Sequence, residues 1–124
     1  MRADLVYAVH EIQLARHGGL HGLRDRHAVE SALARPEQPY AYGQSPPDAA
    51  DLAAAYAHAL ARNHGFSDGN KRTAWVVARV FLADNDVPLL FSDEDAMQTT
   101  VAVAGGTVDE HPFAAWFRAR MAEA

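Results

Sequence analysis

The chain has 124 residues and a formal net charge of −5 at pH 7. Apolar residues make up 49% of it and charged residues 22%, a balance typical of one folded globular domain. The absence of cysteine excludes disulfides and thiolate metal sites and favours a reducing cytoplasm. No signal peptide, membrane-spanning run or basic footprint for nucleic acid is visible. We therefore expect a single cytoplasmic domain over residues 1–124, bound directly to neither membrane nor nucleic acid.

The first third of the chain predicts two helices and an irregular flap. Apolar residues at near-helical spacing predict a first helix over about 5–16, with Asp4 as its N-cap. Asp25 is expected to cap a second helix over 26–35. Residues 36–47 hold four of the six prolines, so this segment predicts an extended loop or a small hairpin.

The rest of the chain predicts four more helices. One covers about 48–63, and the next covers about 70–85 with apolar side chains around much of its circumference, which indicates a central, buried helix. A capping pattern opens a helix over 92–104, and a last helix follows from about 107. The sequence thus predicts an all-α fold of about six helices around a central helix pair, with one short irregular or hairpin flap.

Ten residues between the two central helices carry an unusual set of polar groups, His64-Gly-Phe-Ser-Asp-Gly-Asn-Lys-Arg-Thr73. A helix N-terminus offers unpaired backbone N–H groups to an anion, Gly69 allows close approach, and Asn70 can donate through its amide. Lys71 and Arg72 add cations where the helix dipole disfavours positive charge, so an anionic partner would explain them. These four residues are candidate phosphate ligands.

Two further side chains in this string suit catalysis. Asp68 is a hard oxygen ligand of the kind that Mg²⁺ takes together with phosphates. His64, four residues earlier, is the nearby group that can accept a proton near neutral pH. Each residue taken alone is better explained as part of a solvated surface loop. For the whole set at a helix entry, composition leaves a solvated loop and a phosphate site about equally supported.

The string from His64 to Thr73 resembles the signature of the Fic/Doc superfamily, H-x-F-x-[DE]-G-N-G-R, in its Doc (death-on-curing) form. The chain matches this pattern except at Lys71, where the Doc branch also carries lysine. The strings at 18–25 and 30–36, and the run at 100–105 before a tryptophan-containing helix, are similar to Doc-like toxins too. The resemblance therefore spans nearly the whole chain.

The resemblance implies a role for each position of the signature. His64 would be the general base that deprotonates a target hydroxyl, and Asp68 would hold Mg²⁺. Gly69 and Asn70 would help to form the anion site, and Arg72 would bind a nucleotide phosphate.

Two further expectations concern packing and target binding. Phe66 would be the buried anchor of the signature loop. The family's counterpart of the flap at 36–47 holds the target segment by strand pairing. Tyr40 and Tyr42 would flank that segment or simply anchor the flap, and the sequence favours neither interpretation.

Lys71 decides which reaction the resemblance implies. Family members that transfer AMP carry glycine here, whereas lysine would place its ammonium in the phosphate cradle. The resemblance to Doc implies an Mg²⁺- and ATP-dependent kinase in which His64, Lys71 and Arg72 transfer the γ-phosphoryl group to a protein Ser/Thr hydroxyl. Its target would be the translation factor elongation factor Tu, so that translation halts.

The same resemblance implies the biological setting. The chain would be the toxin of a type II toxin–antitoxin system. No autoinhibitory [ST]-x-x-x-E-[GN] string occurs, so the expected inhibitor is a separate Phd-like antitoxin. The alternatives are a Fic-type AMP-transferase and a catalytically silent module that binds the antitoxin.

Overall fold

The computed structural model describes residues 3–19, 22–34, 48–63, 65–67 and 69–121. The helices in these residues are α1 (Ala3–His17), α2 (Arg26–Ala34), α3 (Ala49–Asn63), α4 (Asn70–Asp84), α5 (Asp93–Ala104) and α6 (Glu110–Arg120). The described residues also form two isolated antiparallel bridges, Leu23–Phe66 and Leu89–Met121. The all-α prediction is confirmed, while the predicted flap at 36–47 lies outside the described residues.

Helix starts largely follow the predicted caps. The Asp25 carboxylate accepts from the Ala28 N–H at 3.2 Å, and the Ser92 hydroxyl accepts from the Asp95 N–H at the same distance. The prediction that Asp4 is an N-cap is wrong, because α1 already begins at Ala3. Asp4 lies inside the first helical turn, where the helix dipole favours its negative charge.

The centre of the fold is α3. Nine of its 15 residues are buried, and seven of those are alanine. Small side chains let neighbouring helices approach closely, and α3 packs against α2, α4, α5 and α6. The more central helix is therefore α3 rather than α4, because α4 buries one side and exposes Lys71, Arg72 and Arg79 on the other.

The first helix packs against α4 and α2. Its buried stripe consists of Val6, Val9, His10, Gln13 and Leu14, at the spacing that places them on one face. This packing brings one face of α1 beneath the connection between α3 and α4. No helix in the described part of the chain is both long and apolar enough to cross a membrane.

Salt bridges connect α6 to the start of α3. Arg118 donates from Nε and Nη2 to Asp48 at 3.0 and 3.1 Å, and from Nη2 to Asp51 at 3.1 Å. The Asp48 carboxylate also accepts from the Asp51 N–H, and the Asp51 carboxylate accepts from the Asp48 N–H. This reciprocal pair caps α3. The hydrogen bonds from Arg118, and then the Asp51 N–H, lower the pKa of Asp48 from 3.8 to about 2, although partial burial opposes this shift.

Candidate functional site

Gly69 is the last residue of the loop that connects α3 to α4, and it directly precedes α4. It is the N-cap residue, with φ 78° and ψ 14° in the left-handed region, and its carbonyl oxygen accepts from the Thr73 N–H at 3.0 Å. A Cβ built on Gly69 would make only ordinary contacts, the nearest at 3.5 Å to His10. The positive φ rather than crowding therefore favours glycine at this position.

The Asn70 side chain closes the loop. Its Oδ1 accepts from the Phe66 N–H at 3.1 Å, and its Nδ2 donates to the Phe66 carbonyl oxygen at 3.0 Å. The sequence predicted that this amide donates to a bound anion. In the structure this amide satisfies two backbone groups of the loop and uses one of the two N–H groups of Nδ2 to do so, so its donation to an anion stays a prediction.

The first turn of α4 presents two exposed cations. Lys71 and Arg72 are both exposed, and that turn contains no acidic residue. No ion pair is found for either side chain within the described residues, whereas Arg118 and Arg120 both pair with aspartates. Gly69, the N-cap residue, makes no side-chain hydrogen bond to the N–H groups of this turn. Positive charge and a helix N-terminus thus coincide, which suits an anion.

The segment from Gly22 to Asp25 forms backbone hydrogen bonds with the loop between α3 and α4. The N–H groups of Arg24 and Asp25 donate to the Gly65 carbonyl oxygen at 2.8 and 2.9 Å, and the Ser67 N–H donates to the Gly22 carbonyl oxygen at 3.1 Å. Leu23 and Phe66 form an antiparallel bridge between these two pairings. Two of the strings that carry the family resemblance, 18–25 and 64–73, are therefore hydrogen-bonded to each other.

Close packing explains Gly65. A Cβ at this position would overlap the Cγ2 of Val29 and lie 3.3 Å from the Asp25 carbonyl oxygen. The contact with the backbone of Asp25 leaves little room for adjustment, because backbone atoms move less readily than a side-chain end. Gly65 thus lets the loop sit directly on the start of α2.

Phe66 lies in the hydrophobic core with 4% of its surface exposed. The Tyr7 ring meets it edge-on, with ring centroids 6.0 Å apart and planes at 86°. The His10 ring stacks on it, with centroids 3.8 Å apart and planes at 12°. This burial supports the anchoring role predicted for Phe66.

The structure brings together those predicted site residues that it describes. They occupy the loop and the first turn of α4: Phe66, Gly69, Asn70, Lys71 and Arg72. The remaining ones lie outside the described residues: His64, Asp68, Tyr40 and Tyr42. In the described ranges no group of three or more His, Cys, Asp or Glu side chains could hold a metal. The roles of His64 as base and Asp68 as magnesium ligand stay predictions.

Two residues beside the loop have features that the sequence did not predict. His10 is 2% exposed and stacks on Phe66. Thr73 is fully buried, and its hydroxyl has no hydrogen-bond partner within the part of the chain that the structure describes. The available signal for His10 was its spacing of four residues from Val6 and Leu14, which places it on the buried stripe of α1.

A cavity of about 440 Å³ lies at the opposite end of α4, lined by residues that include Arg79, Asp86 and Phe91. None of the predicted site residues lines it. The Arg79 guanidinium lies over the rings of Phe91 and Trp75, at 5.3 and 5.8 Å from their centroids. The cavity is thus separate from the loop between α3 and α4.

Comparison with known proteins gives this loop a family context. A sequence profile of the Fic/DOC family matches residues 1–82. A protein of Escherichia phage P1 named protein kinase Doc is 38% identical over 98 residues, which cover 79% of this chain and 77% of that protein. A protein of Mycolicibacterium smegmatis named toxin Doc is 48% identical over 73 residues, which cover 58% of this chain and 55% of that protein.

Proposed function

This chain belongs to the Fic/Doc family, and we propose that it is a Doc-type toxin that acts as a protein kinase. The proposed reaction transfers the γ-phosphoryl group of ATP to a Ser or Thr hydroxyl of a protein. A relative named as a toxin supports the toxin role, and a relative named as a protein kinase supports the kinase activity. The proposal concerns the signature string, from His64 to Arg72.

The observation that carries the proposal is a pair of cations at the start of α4 for which the described residues supply no ion-pair partner. Lys71 and Arg72 are exposed, and neither forms an ion pair with a described residue. They lie where the helix dipole disfavours them, in a protein whose net charge is −5. A bound polyphosphate offsets the unfavourable interaction of these cations with the helix dipole, because its negative charge interacts favourably with both side chains and with the helix N-terminus.

The residues present also fit the magnesium ion that accompanies ATP. Mg²⁺ takes one or two carboxylates, with phosphate oxygens and waters completing its coordination, so a single Asp68 beside the phosphate-binding turn is a sufficient protein contribution. The ion would neutralise phosphate charge as it develops. Asp68 itself lies outside the described residues, and its role is part of the proposal.

The proposed chemistry relies on positioning and on charge. The target hydroxyl oxygen attacks the γ-phosphorus, His64 accepts the hydroxyl proton, and the bond from that phosphorus to the oxygen bridging to the β-phosphate breaks, so that ADP leaves. Lys71 and Arg72 hold the negative charge of the phosphates during transfer. Such in-line phosphoryl transfer needs little covalent participation by the protein, which is consistent with so small a site.

Lys71 favours transfer of the γ-phosphoryl group over transfer of AMP. A glycine would leave room for an α-phosphate against the loop backbone, whereas lysine places a long cationic side chain in the first turn of α4. AMP transfer stays the alternative, since the exposed Lys71 side chain can also point away from the loop. The position of the label that reaches the target separates the two reactions.

The proposed target is elongation factor Tu, and the proposed consequence is a halt of translation in the cytoplasm. The proposed inhibitor is a Phd-like antitoxin. Tyr40 and Tyr42 are proposed to contact the target segment. These assignments rest on the resemblance to Doc and on the relative named as a toxin.

An expression experiment tests the toxin and enzyme parts of the proposal together. Induction of the wild-type chain should stop growth and amino-acid incorporation, and His64→Ala or Asp68→Ala should abolish both effects at equal protein level. His17→Ala is the matched control, because His17 is an exposed histidine in the last turn of α1. Arrest that persists in the His64 and Asp68 variants would overturn catalysis and favour a silent binding module.

A further inference from the structure

His10 lies directly beneath the signature loop although it belongs to α1. Its ring stacks on the Phe66 ring at a centroid distance of 3.8 Å and an interplanar angle of 12°. Only 2% of its surface is exposed. The stacking is therefore a contact inside the core, between a helix that carries no signature residue and the aromatic anchor of the loop.

The edge of the same ring borders the other end of the loop. The position of a Cβ on Gly69 is 3.5 Å from His10 Cδ2 and 3.6 Å from His10 Nε2. Leu14 Cδ2, one helical turn further along α1, is also 3.6 Å from that position. One imidazole thus stacks on the residue where the loop enters the core and lies next to the N-cap residue of α4.

This position defines what His10 can do. A side chain with 2% exposure has no access to a nucleotide or to a protein target, so any effect on the reaction passes through other residues. Those residues are Phe66 and Gly69, and Gly69 is followed directly by the turn that carries Lys71 and Arg72. The stack on Phe66 on one side and the closeness of Gly69 on the other restrict the relative movement of the two loop ends.

We propose that His10 is a positioning residue for the phosphate-binding turn. Its imidazole supports the Phe66 ring with one face and Gly69 with one edge, and so fixes the start of α4 relative to the loop. The effect on catalysis rests on the proposed kinase function, whereas the effect on the loop does not. A displacement of about 1 Å can lower a reaction rate by on the order of 100-fold, so a loosened support should be visible in kcat.

The test compares His10→Leu, His10→Phe and Val103→Ala with the wild type. Leucine removes the stacked ring, and phenylalanine keeps it. Val103 is fully buried in α5, outside α1, the loop and α4, so its truncation serves as a destabilised control. Global stability of each variant is measured by urea denaturation before the other readouts are compared.

The first readout is amide hydrogen exchange in the absence of nucleotide. It is measured at the N–H groups of Phe66 and Ser67 in the loop and of Thr73 in the first turn of α4. These groups donate to Asn70 Oδ1, the Gly22 carbonyl oxygen and the Gly69 carbonyl oxygen respectively. His10→Leu should accelerate their exchange beyond its effect on global stability. His10→Phe should retain the protection, and Val103→Ala should change it only as far as global stability changes.

The second readout is the kcat of phosphoryl transfer, which should fall by on the order of 10- to 100-fold in His10→Leu and much less in His10→Phe. Unchanged loop exchange in His10→Leu would overturn the proposal. So would equal loss in the leucine and phenylalanine variants, or a loss in Val103→Ala that matches His10→Leu at equal stability. If the wild type transfers no phosphate, the proposed function fails, and the exchange comparison still decides the role of His10.

Discussion

The Asn70 amide and the Phe66 backbone form a reciprocal pair, with Oδ1 accepting from the N–H at 3.1 Å and Nδ2 donating to the carbonyl oxygen at 3.0 Å. The loop between α3 and α4 is therefore closed by a side chain rather than by backbone hydrogen bonds alone. Since Phe66 is buried and Asn70 begins α4, this pair connects the core to the turn that carries Lys71 and Arg72.

Asn70→Ala should lower the free energy of unfolding by about 1–3 kcal/mol, because two partly buried backbone groups of Phe66 lose their partners. The measurement is urea denaturation. Asn85→Ala is the matched control, because Asn85 Nδ2 donates to the Phe81 carbonyl oxygen at 2.8 Å in an exposed position. The control should lose less stability, since water replaces its hydrogen bond. Equal losses in the two variants would show that the Phe66 pair has no special importance.

Arg72→Ala should change stability and activity in opposite directions. Removing a cation from the first turn of α4 should raise the free energy of unfolding by about 0.3–1 kcal/mol in the absence of nucleotide. Removing a phosphate ligand should lower kcat by on the order of 10²–10³-fold. Arg16→Ala is the control, because Arg16 is exposed in the last turn of α1, where the dipole favours a cation. Its loss should cost stability and leave transfer unchanged. A destabilised Arg72→Ala protein would contradict the idea that this cation is kept for an anion.

Thr73→Val should leave the free energy of unfolding unchanged or raise it by about 1 kcal/mol, because the hydroxyl is buried and no described residue pairs with it. Thr100→Val is the matched control. The Thr100 hydroxyl is also buried, but it donates to the Ala96 carbonyl oxygen at 2.8 Å, so its removal should cost about 0.5–1.5 kcal/mol. Thermal or urea denaturation measures the change in the free energy of unfolding of both variants. Equal destabilisation of the two would mean that the Thr73 hydroxyl has a stabilising partner.

Asp48→Asn should make stability less sensitive to acid. The pKa of Asp48 is lowered in the folded protein from 3.8 to about 2, chiefly by hydrogen bonds from Arg118. A lowered pKa stabilises the fold above pH 3.8, and this stabilisation is lost as the pH falls through about 2. The wild-type urea midpoint should therefore fall more steeply over that interval than that of Asp48→Asn. The effect should be modest, because about half of each side chain is exposed. Asp84→Asn, which changes an exposed aspartate on α4, should retain the wild-type slope.

Local features of the fold could be predicted well from the sequence. Asp25 and Ser92 cap helices because short polar side chains reach the N–H groups two or three residues further on, which is a property of adjacent residues. The start of α4 at Asn70 also follows from a glycine and a change in polarity next to it. The signature string is equally local, and it predicted which family the chain belongs to.

Long-range features could not be predicted in the same way. The pairing of Gly22–Asp25 with Gly65–Ser67 joins segments some 40 residues apart, and no periodicity encodes such a contact. The sequence marked His10 only as one residue on an apolar stripe, and its stacking on Phe66 depends on how α1 packs against α4. The Asn70 amide could serve a ligand or the loop, and only the folded geometry assigns it to Phe66.

The measurement that tests the central claim most directly is label transfer from ATP. A candidate target such as elongation factor Tu is incubated with the protein and ATP labelled, in separate reactions, at the α- or the γ-phosphate. The account predicts target labelling from the γ-phosphate alone, lost in His64→Ala and strongly reduced in Arg72→Ala. Target labelling from the α-phosphate would contradict it and would assign AMP transfer to this site.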